Sequence, residues 1–399
     1  MNFLFISPHF PANYYLFCKE LKKNGVNVLG IGDAPYATLR EELKDSLTEY
    51  YRVNDMENYD DMYRAVAYLI FKHGKIDYLE SNNEYWLAQD AQLRTDFNIR
   101  TGLFEKNVKA VKFKSEMKKY YAKAGVQTAR WKLVDNYDSC KEFVKEVGWP
   151  LIIKPNSGVG AADTHKIANS KQLKVCIQQL DNPHDYIMEE FIDGSLVSYD
   201  GIAGKNRQII YETSHIYPEA VMDLLHNQDD VCFWSCKKID PKLQVIGRKV
   251  ISTFPSNARC FHTEYFILNK DKPGLGKKGD YIGLEINMRP PGGCIPDMIN
   301  YANDLSYYKI YADMICGKEE KLLFKERKYC CAFAGRRDQY EYFHTKDEIR
   351  TKYKDHIMEE LRLPDIMAEA MGNQAILARF DSVLKARKFC DYVIRKKGE

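Results

Sequence analysis

The sequence predicts an α/β fold at the amino terminus and an α+β fold in the remainder of the chain. In residues 1–105, short apolar runs alternate with amphipathic helical segments, a pattern typical of βαβ units around a parallel sheet. From residue 186 onward strand patterns dominate, and residues 318–399 are mixed, charged and end in a helix with a basic tail. The length of 399 residues suits two or three domains at roughly 100–200 residues each.

The composition excludes several classes of protein. Lys and Arg number 59 against 56 Asp and Glu, a net charge of +3 without the concentrated basic face of a nucleic-acid-binding protein. No uncharged apolar run approaches about 18 residues, and the first residues lack the basic segment of a signal peptide. The eleven cysteines show no CxxC pair, so we expect free thiols in a reducing compartment. We therefore expect a cytoplasmic protein that binds neither nucleic acid nor membrane.

The N-terminal elements follow from apolar runs and from the turns that end them. The predicted elements are strands at 3–6, 26–31 and 76–79, a helix that ends at Lys23 and a helix over 60–73. Ligands of parallel sheets collect at the carboxyl ends of the strands, where His9, Asp33 and Glu84 lie. No GxGxxG motif is present, so the sequence offers no obvious cradle for a dinucleotide.

The middle of the chain combines a Lys-rich segment with a loop of small residues. The predicted elements are helices at 107–124, 137–147, 241–253 and 303–316 and strands at 128–134 and 151–154. After the last of these strands, residues 155–162 contain two glycines and three other small residues. Such a loop lets backbone N–H groups approach phosphates closely, although a surface hairpin would look the same. The loop is not a Walker P-loop, because the GxxxxGK[ST] pattern is absent.

The most informative segment is the strand pattern at residues 281–289. Glu285, Asn287 and Arg289 lie two residues apart and therefore share one face of a strand. A carboxylate beside an amide oxygen suits Mg²⁺, and the guanidinium suits an anionic group that gains charge during a reaction. The alternative is a half-exposed strand that carries a single Glu–Arg pair.

A second strand, predicted at 260–268, places His262 and Glu264 on one face. Residues 269–280 are rich in Lys, Gly and Asp and are typical of a hairpin connection. If the two strands pair, Glu264 lies beside Glu285. Two carboxylates at that distance repel each other unless a cation lies between them, so the pairing favours a site for one or two Mg²⁺ ions.

The order of these features along the chain is itself informative. Lys114, Lys154 with its glycine loop, the segment 188–192, Glu264 and the segment 285–289 occur in the order found in ATP-grasp ligases. The chain resembles that superfamily over essentially its whole length. Within it, the sequence resembles the carboxylate–amine ligases typified by L-amino acid ligases, and more distantly biotin carboxylase.

The resemblance implies three domains. Residues 1–105 would form a Rossmann-like pre-ATP-grasp domain, residues 106–317 the ATP-grasp core and residues 318–399 a small C-terminal α+β domain. A mobile lid would span about 115–187 within the core. Lids of this kind exclude water from a reactive acyl phosphate.

The resemblance also implies roles for individual residues. The residues implied for ATP are Lys114, Lys154, Ser157, Gly158, Gly160, Glu189, Glu190 and Ile192. The two lysines would hold the α- and β-phosphates, and the serine and the glycines would lie in the mobile loop over the triphosphate. Glu189 would contact the adenine amino group through its side chain, and Glu190 and Ile192 would offer backbone atoms. The residues implied for Mg²⁺, with Mn²⁺ as an alternative, are Glu264, Glu285 and Asn287. Arg289 would be catalytic, stabilising the substrate carboxylate and the charged centres.

Two departures bear on the substrate. Leu196 stands where many relatives have a ribose-binding Glu, although Asp200 follows shortly. After Arg289, the sequence has a Pro-Pro-Gly-Gly turn in place of the Val-Glu pair that handles bicarbonate in biotin-carboxylase-like enzymes. The turn resembles the amino acid ligase branch, in which its backbone borders the acyl phosphate; a structural turn is the alternative.

The substrate candidates are Glu84, for an amine, His262, as acceptor of its proton near neutral pH, and the turn residues Gly292 and Gly293. Further candidates for the cleft are His9, Arg336 and Arg337.

The implied reaction joins a small carboxylic or amino acid to an amine through an acyl phosphate, with release of ADP and phosphate. Two alternatives stay open: another ATP-grasp chemistry, such as carboxylation or peptide modification, and a non-catalytic ATP-binding regulatory protein. The expected partners are a small-molecule acid and an amine. A homodimer also stays open, because no interface can be identified from the sequence.

Overall fold

The structure is a computed structural model that describes residues 1–158, 163–218, 229–255 and 257–398. Its first layer is a parallel sheet of four strands in the order β3-β2-β1-β4. The strands are β1 (Asn2–Ile6), β2 (Asn27–Gly32), β3 (Glu49–Arg52) and β4 (Tyr78–Glu80), and the helices are α1 (Tyr15–Lys23), α2 (Glu41–Ser46), α3 (Tyr59–His73) and α4 (Leu87–Asp96). The predicted α/β character of this part is confirmed. Helix α3 begins where the Asn58 side chain accepts the N–H groups of Asp60 and Asp61, a typical N-cap.

The predicted single helix over 107–124 is wrong, because two helices occupy this region. They are α5 (Glu105–Lys112) and α6 (Lys114–Lys123). Phe113 between them is extended, with φ −95° and ψ 123°. The N–H of Lys114 then donates to the Asn156 carbonyl at 2.7 Å, and the N–H of Ser115 donates to the Asn156 side chain at 2.9 Å. These bonds satisfy donors that an interrupted helix exposes at its new N-terminus.

A small antiparallel sheet with two helices follows. Its strands are β5 (Trp131–Leu133), β6 (Leu151–Pro155), β7 (His165–Ile167) and β8 (Tyr186–Glu190), in the order β5-β8-β6-β7. Helices α7 (Tyr137–Val147) and α8 (Ser170–Gln179) bury Cys140, Phe143 and Leu173 against it. The predicted lid over about 115–187 overlaps this unit but begins within α6, and the lid and its mobility stay predictions.

The largest layer is an antiparallel sheet of eight strands in the order β13-β12-β9-β10-β11-β14-β16-β15. The strands are β9 (Gly194–Ala203), β10 (Ile209–Tyr217), β11 (Val231–Ser235), β12 (Arg259–Leu268), β13 (Tyr281–Asn287), β14 (Cys330–Arg336), β15 (Ile357–Arg362) and β16 (Gln374–Phe380). The helices are α9 (Pro241–Thr253), α10 (Ile295–Asn303), α11 (Tyr307–Ile315), α12 (Lys346–Tyr353), α13 (Asp365–Met371) and α14 (Val383–Ile394). Strands β14 to β16 belong to the predicted C-terminal domain, yet they extend the same sheet as the predicted core. The proposed domain boundaries stay a prediction.

The predicted helix over 303–316 is wrong at its start. Helix α10 ends at Asn303, because Asp304 adopts a left-handed conformation with φ 52°. Helix α11 begins only at Tyr307, where the Ser306 side chain accepts the N–H of Lys309 at 3.1 Å. Within the described residues, no helix is long and apolar enough to cross a membrane.

Candidate active site

Lys114 connects the glycine loop to the acidic strand β13. It is the first residue of α6 and its side chain is buried. Its Nζ donates to the Gly158 carbonyl at 3.1 Å and lies 3.8 Å from Glu285 Oε2. Because the ammonium group is buried between a loop carbonyl and a carboxylate, it is in a suitable position for a charge-assisted contact with a phosphate.

Lys154 and a second lysine share one buried carboxylate. Glu189 on β8 places Oε2 at 3.2 Å from Lys154 Nζ and Oε1 at 3.0 Å from Lys118 Nζ. Burial alone would raise the pKa of Glu189, but Lys118 and Lys154 outweigh it and lower the pKa to about 2. Sequence reasoning missed Lys118. Its spacing of four residues from Lys114, one helical turn, was the available signal.

The two predicted metal-binding carboxylates face each other across a strand pair. Strands β12 and β13 are antiparallel, and their register pairs Glu264 with Glu285 and His262 with Asn287. The pairing that the sequence predicted for these strands is therefore observed. The Asn287 amide nitrogen donates to Glu285 Oε1 at 3.2 Å. The amide oxygen of Asn287 takes no part in this hydrogen bond. Burial would raise the pKa of Glu285, but Lys114 and Lys154 outweigh it and lower the pKa.

These donors fit a hard divalent cation. Two carboxylates and one amide oxygen are the ligands that Mg²⁺ prefers, with water and phosphate oxygens completing its shell. Among the residues that the structure describes, no group of three or more His, Cys, Asp or Glu side chains is arranged to hold a metal. The metal-binding role of Glu264, Glu285 and Asn287 stays a prediction, and a cation there would need water and phosphate oxygens to complete its shell.

Arg289 lies just beyond the end of β13 and meets the N-terminal domain. Its Nε is 3.2 Å from Glu84 Oε2, and its Nη1 donates to the Pro290 carbonyl at 2.9 Å. Burial would lower the pKa of the guanidinium, but Glu84 outweighs it and raises the pKa. Glu84 and Arg289, two predicted site residues that are 205 residues apart in the sequence, are thus in contact.

Comparison with known proteins was made on sequence and on structure. No protein-family model matches the chain. An arginine-specific L-amino acid ligase of Bacillus subtilis is 25% identical over 330 residues, which cover 77% of this chain and 74% of that protein. The crystal structure of an L-amino acid ligase from Bacillus licheniformis matches with a TM-score of 0.73 at 12% identity, covering 99% of both chains.

A third similar structure is the biotin carboxylase domain of the Hydrogenobacter thermophilus 2-oxoglutarate carboxylase, a dimer with MgADP, ADP and bicarbonate. It matches with a TM-score of 0.64 at 12% identity and covers 98% of this chain and 89% of that chain. The chain has the ATP-grasp fold of these structures, and its sequence is similar to that of an L-amino acid ligase. The predicted fold class is confirmed.

The last residue of β8, Glu190, has charged partners on both sides. The Glu190 carboxylate pairs with Arg130, at 2.8 Å from Nη2, and with Lys272 at 3.1 Å. The Glu190 N–H already donates to the Arg130 carbonyl at 3.0 Å. A backbone contact from Glu190 to adenine would therefore come from its carbonyl oxygen, and the predicted adenine roles of Glu189, Glu190 and the buried Ile192 stay predictions.

His262 does not suit the role of proton acceptor at neutral pH. Its Nδ1 lies 2.5 Å from Asp200 Oδ1, and its Nε2 lies 3.3 Å from Glu264 Oε1. Burial would lower the pKa of His262, but Asp200 and Glu264 outweigh it and raise the pKa to about 10. The raised pKa disfavours His262 as an acceptor of the amine proton at neutral pH, and the expected role stays a prediction. Asp200 also binds His215 Nδ1 at 2.7 Å, a buried connection that the sequence did not reveal.

The predicted phosphate loop is described only in part. Gly158 has a φ of +122°, a backbone conformation that favours glycine, and Ser157 precedes it. Gly160 lies outside the described residues. Leu196, at the expected ribose position, is buried and pairs with Phe266 of β12. It offers no polar group to a ribose.

The turn after Arg289 packs against the C-terminal part of the chain. Gly293 has a φ of +60°, and a Cβ there would lie 2.7 Å from Met371 Sδ. The Gly293 carbonyl accepts from the Asn13 side chain at 3.5 Å, and Gly292 is 4.0 Å from Arg289 Nη1, measured from a Cβ built on it. The turn thus lies between the Arg289 guanidinium and helix α13, and its contact with an acyl phosphate stays a prediction.

Three other cleft candidates have partners that explain them. His9 Nε2 lies 3.3 Å from Asp33, at the carboxyl ends of β1 and β2. Arg336 donates to the Val393 and His344 carbonyls at 2.7 and 2.9 Å. Arg337 donates to carbonyls of α13. The two arginines therefore stabilise the C-terminal part of the chain and do not project from it as ligands.

Proposed function

We propose that the protein is an ATP-dependent ligase that joins the carboxylate of an amino acid or another small acid to an amine. The observation that carries the proposal is the convergence of Glu264 and Glu285 on paired strands with Lys114 and Arg289 beside them. Cationic groups for phosphates, oxygen ligands for a divalent cation and a guanidinium for an acid lie around one volume. The sequence similarity to an L-amino acid ligase supports an amino acid as the acid.

The first step transfers the γ-phosphoryl group. A carboxylate oxygen of the acid attacks the γ-phosphorus, its O–P bond forms, the bond to the β-phosphate oxygen breaks and ADP leaves. Lys114 and Lys154 hold the phosphates and compensate charge, while Arg289 orients the acid. When bound, a divalent cation at Glu264, Glu285 and Asn287 supplies further charge compensation for the phosphate oxygens.

The second step forms the amide bond. The bound ammonium group first loses one proton to solvent. The neutral amine then attacks the acyl carbon, its C–N bond forms, the C–O bond to phosphate breaks so that phosphate leaves with its bridging oxygen, and the second proton passes to phosphate or solvent. Glu84 lies beside Arg289, and burial raises its pKa despite that guanidinium. We propose that Glu84 binds the ammonium form of the incoming amine, which replaces part of its contact with Arg289.

The test is nucleotide turnover with pooled substrates. The purified chain is incubated with Mg-ATP, mixed amino acids and small amines, and ADP, AMP and phosphate are measured. We expect ADP and phosphate in equal amounts, dependent on the substrates and lost in Glu285→Ala. Glu142 is an exposed residue of α7 that pairs with Lys145 on the same helix, and it provides the control Glu142→Gln, which should keep full turnover.

Each other outcome selects a different function. AMP in place of ADP would contradict the acyl-phosphate mechanism. Bicarbonate-dependent ADP release without an amine requirement would favour carboxylation. Tight ATP binding with no turnover in any pool would favour a regulatory ATP-binding protein.

A further inference from the structure

Lys118 is a buried charge that the proposed reaction has not yet used. It lies on α6, one turn after Lys114, and its whole residue is 2% exposed. Its Nζ meets Glu189 at 3.0 Å, while the second oxygen of the same carboxylate meets Lys154 at 3.2 Å. Burying an ammonium group costs free energy unless an opposite charge compensates it. A buried lysine at this position therefore suggests a functional role.

The charges around the phosphate site show what Lys118 changes. Three ammonium groups, of Lys114, Lys118 and Lys154, lie with two carboxylates, of Glu189 and Glu285. Counted alone, these five groups carry one net positive charge, and Glu264 beside Glu285 adds a negative charge. Removing the Lys118 charge makes the sum more negative by one, whichever neighbours are counted. An anionic nucleotide would then meet a less cationic site.

The geometry of the Glu189 carboxylate also affects Lys154. Each oxygen of Glu189 faces a different lysine, so Lys154 meets only one of them. A carboxylate freed from Lys118 could turn both oxygens toward Lys154 and hold its ammonium group more tightly. The ammonium group would then be less available to a phosphate oxygen.

We infer that Lys118 is a positioning residue for Lys154, which it keeps available for the nucleotide by engaging half of the Glu189 carboxylate. The inference rests on the proposed function, because it takes Lys154 as a phosphate ligand. Lys118 itself need not touch ATP. Its effect on the nucleotide passes through Glu189, and that dependence makes the inference testable.

The experiment measures Mg-ATP binding to the full chain by isothermal titration calorimetry. Lys118→Met removes the charge, and Lys118→Gln removes it while it keeps a hydrogen-bond donor, in case the methionine variant does not fold. We expect either variant to weaken binding about 10- to 100-fold, the range of one charge-assisted contact. Lys118→Arg should keep most of the affinity. The neighbouring Lys119, exposed and paired with Glu116 on its own helix, gives the control Lys119→Met, which should bind as the wild type does.

The decisive comparison repeats the substitution in a Glu189→Gln background. If Lys118 acts through the carboxylate, Lys118→Gln should change the affinity of that background by less than about threefold, a large coupling between the two positions. A loss of equal size in both backgrounds would show an independent effect and would overturn the inference. So would unchanged affinity in a folded Lys118→Gln protein.

Turnover separates this inference from the proposed function. We expect KM for ATP to rise in Lys118→Gln while kcat stays within about threefold, because binding is weakened equally in the ground and transition states. A wild-type chain that binds ATP but couples no acid to an amine would contradict the proposed function and leave the binding cycle valid. A wild-type chain that binds no ATP would overturn both.

Discussion

The guanidinium of Arg259 forms two contacts with the carboxylate of Glu80, from Nη1 to Oε2 at 2.7 Å and from Nη2 to Oε1 at 2.8 Å. Glu80 ends strand β4 of the parallel sheet, and Arg259 begins strand β12 of the eight-stranded sheet. Arg94 reaches the same carboxylate at 2.8 Å. Burial would raise the pKa of Glu80, but the two arginines outweigh it and lower the pKa. This connection joins the two sheets four residues before Glu84, and so helps to place Glu84 against Arg289.

The first prediction concerns the stability of this connection. Glu80→Gln removes the carboxylate that Arg259 contacts and leaves Arg94 with the more distant Asp90, at 3.9 Å, whereas Arg259→Met leaves Glu80 paired with Arg94. Because an uncompensated buried charge costs about 3–5 kcal/mol, Glu80→Gln should lower the free energy of unfolding by that amount and Arg259→Met by less. Urea unfolding followed by circular dichroism measures both.

The matched control is Lys145→Met in an exposed pair, where the side chains of Lys145 and Glu142 are 65% and 69% exposed. Its unfolding free energy should stay close to that of the wild type. Equal losses in Glu80→Gln and Arg259→Met would show that Arg94 does not stabilise Glu80 on its own.

The register of β12 and β13 could be predicted from the sequence because both signals are local. A period of two places Glu285 and Asn287 on one face, and a short polar connection fixes which residue of the preceding strand lies opposite. Glu264 beside Glu285 follows from those two facts. The prediction needed no knowledge of the rest of the fold.

The Glu80–Arg259 pair could not be predicted in this way, since its members are 179 residues apart. Buried ion pairs depend on how whole sheets are placed, and nothing in the local sequence marks an arginine as buried. The break at Phe113 has a similar origin. The helical pattern continues through it, and the contacts that favour two helices come from Asn156, which lies in the loop after β6.

The second prediction concerns pH. Asp297 on α10 accepts hydrogen bonds from Asn13 at 3.1 Å and Tyr308 at 2.9 Å. Burial raises its pKa to about 6, although these bonds oppose the shift, from an unperturbed value of 3.8. The folded state therefore holds the proton more tightly than the unfolded state, and stability falls as pH rises from about 4 to about 6.

Asp297→Asn removes this titration while it keeps the size of the side chain. Relative to the variant, the wild type should lose on the order of 3 kcal/mol of unfolding free energy between pH 4 and pH 7. Urea unfolding at several pH values measures the difference. The exposed Asp347→Asn provides the control, and a wild-type-to-variant difference that does not change with pH would contradict the prediction.

The third prediction separates the role of Arg289 from nucleotide binding. Its guanidinium faces Glu84 and the turn of Gly292, and the lysines proposed to bind phosphate lie on α6 and β6. If it stabilises charge that develops on the acid and the transferred phosphoryl group, Arg289→Met should lower kcat about 100- to 1000-fold, the range of one lost oxyanion donor. KM for ATP should change by less than about threefold, since the lysines stay in place. Arg289→Lys should recover part of kcat, because it restores the charge without the planar fork.

Steady-state kinetics with varied ATP measures both constants, with the exposed Arg350→Met as control. A rise in KM for ATP at constant kcat would instead make Arg289 a ligand of the nucleotide ground state.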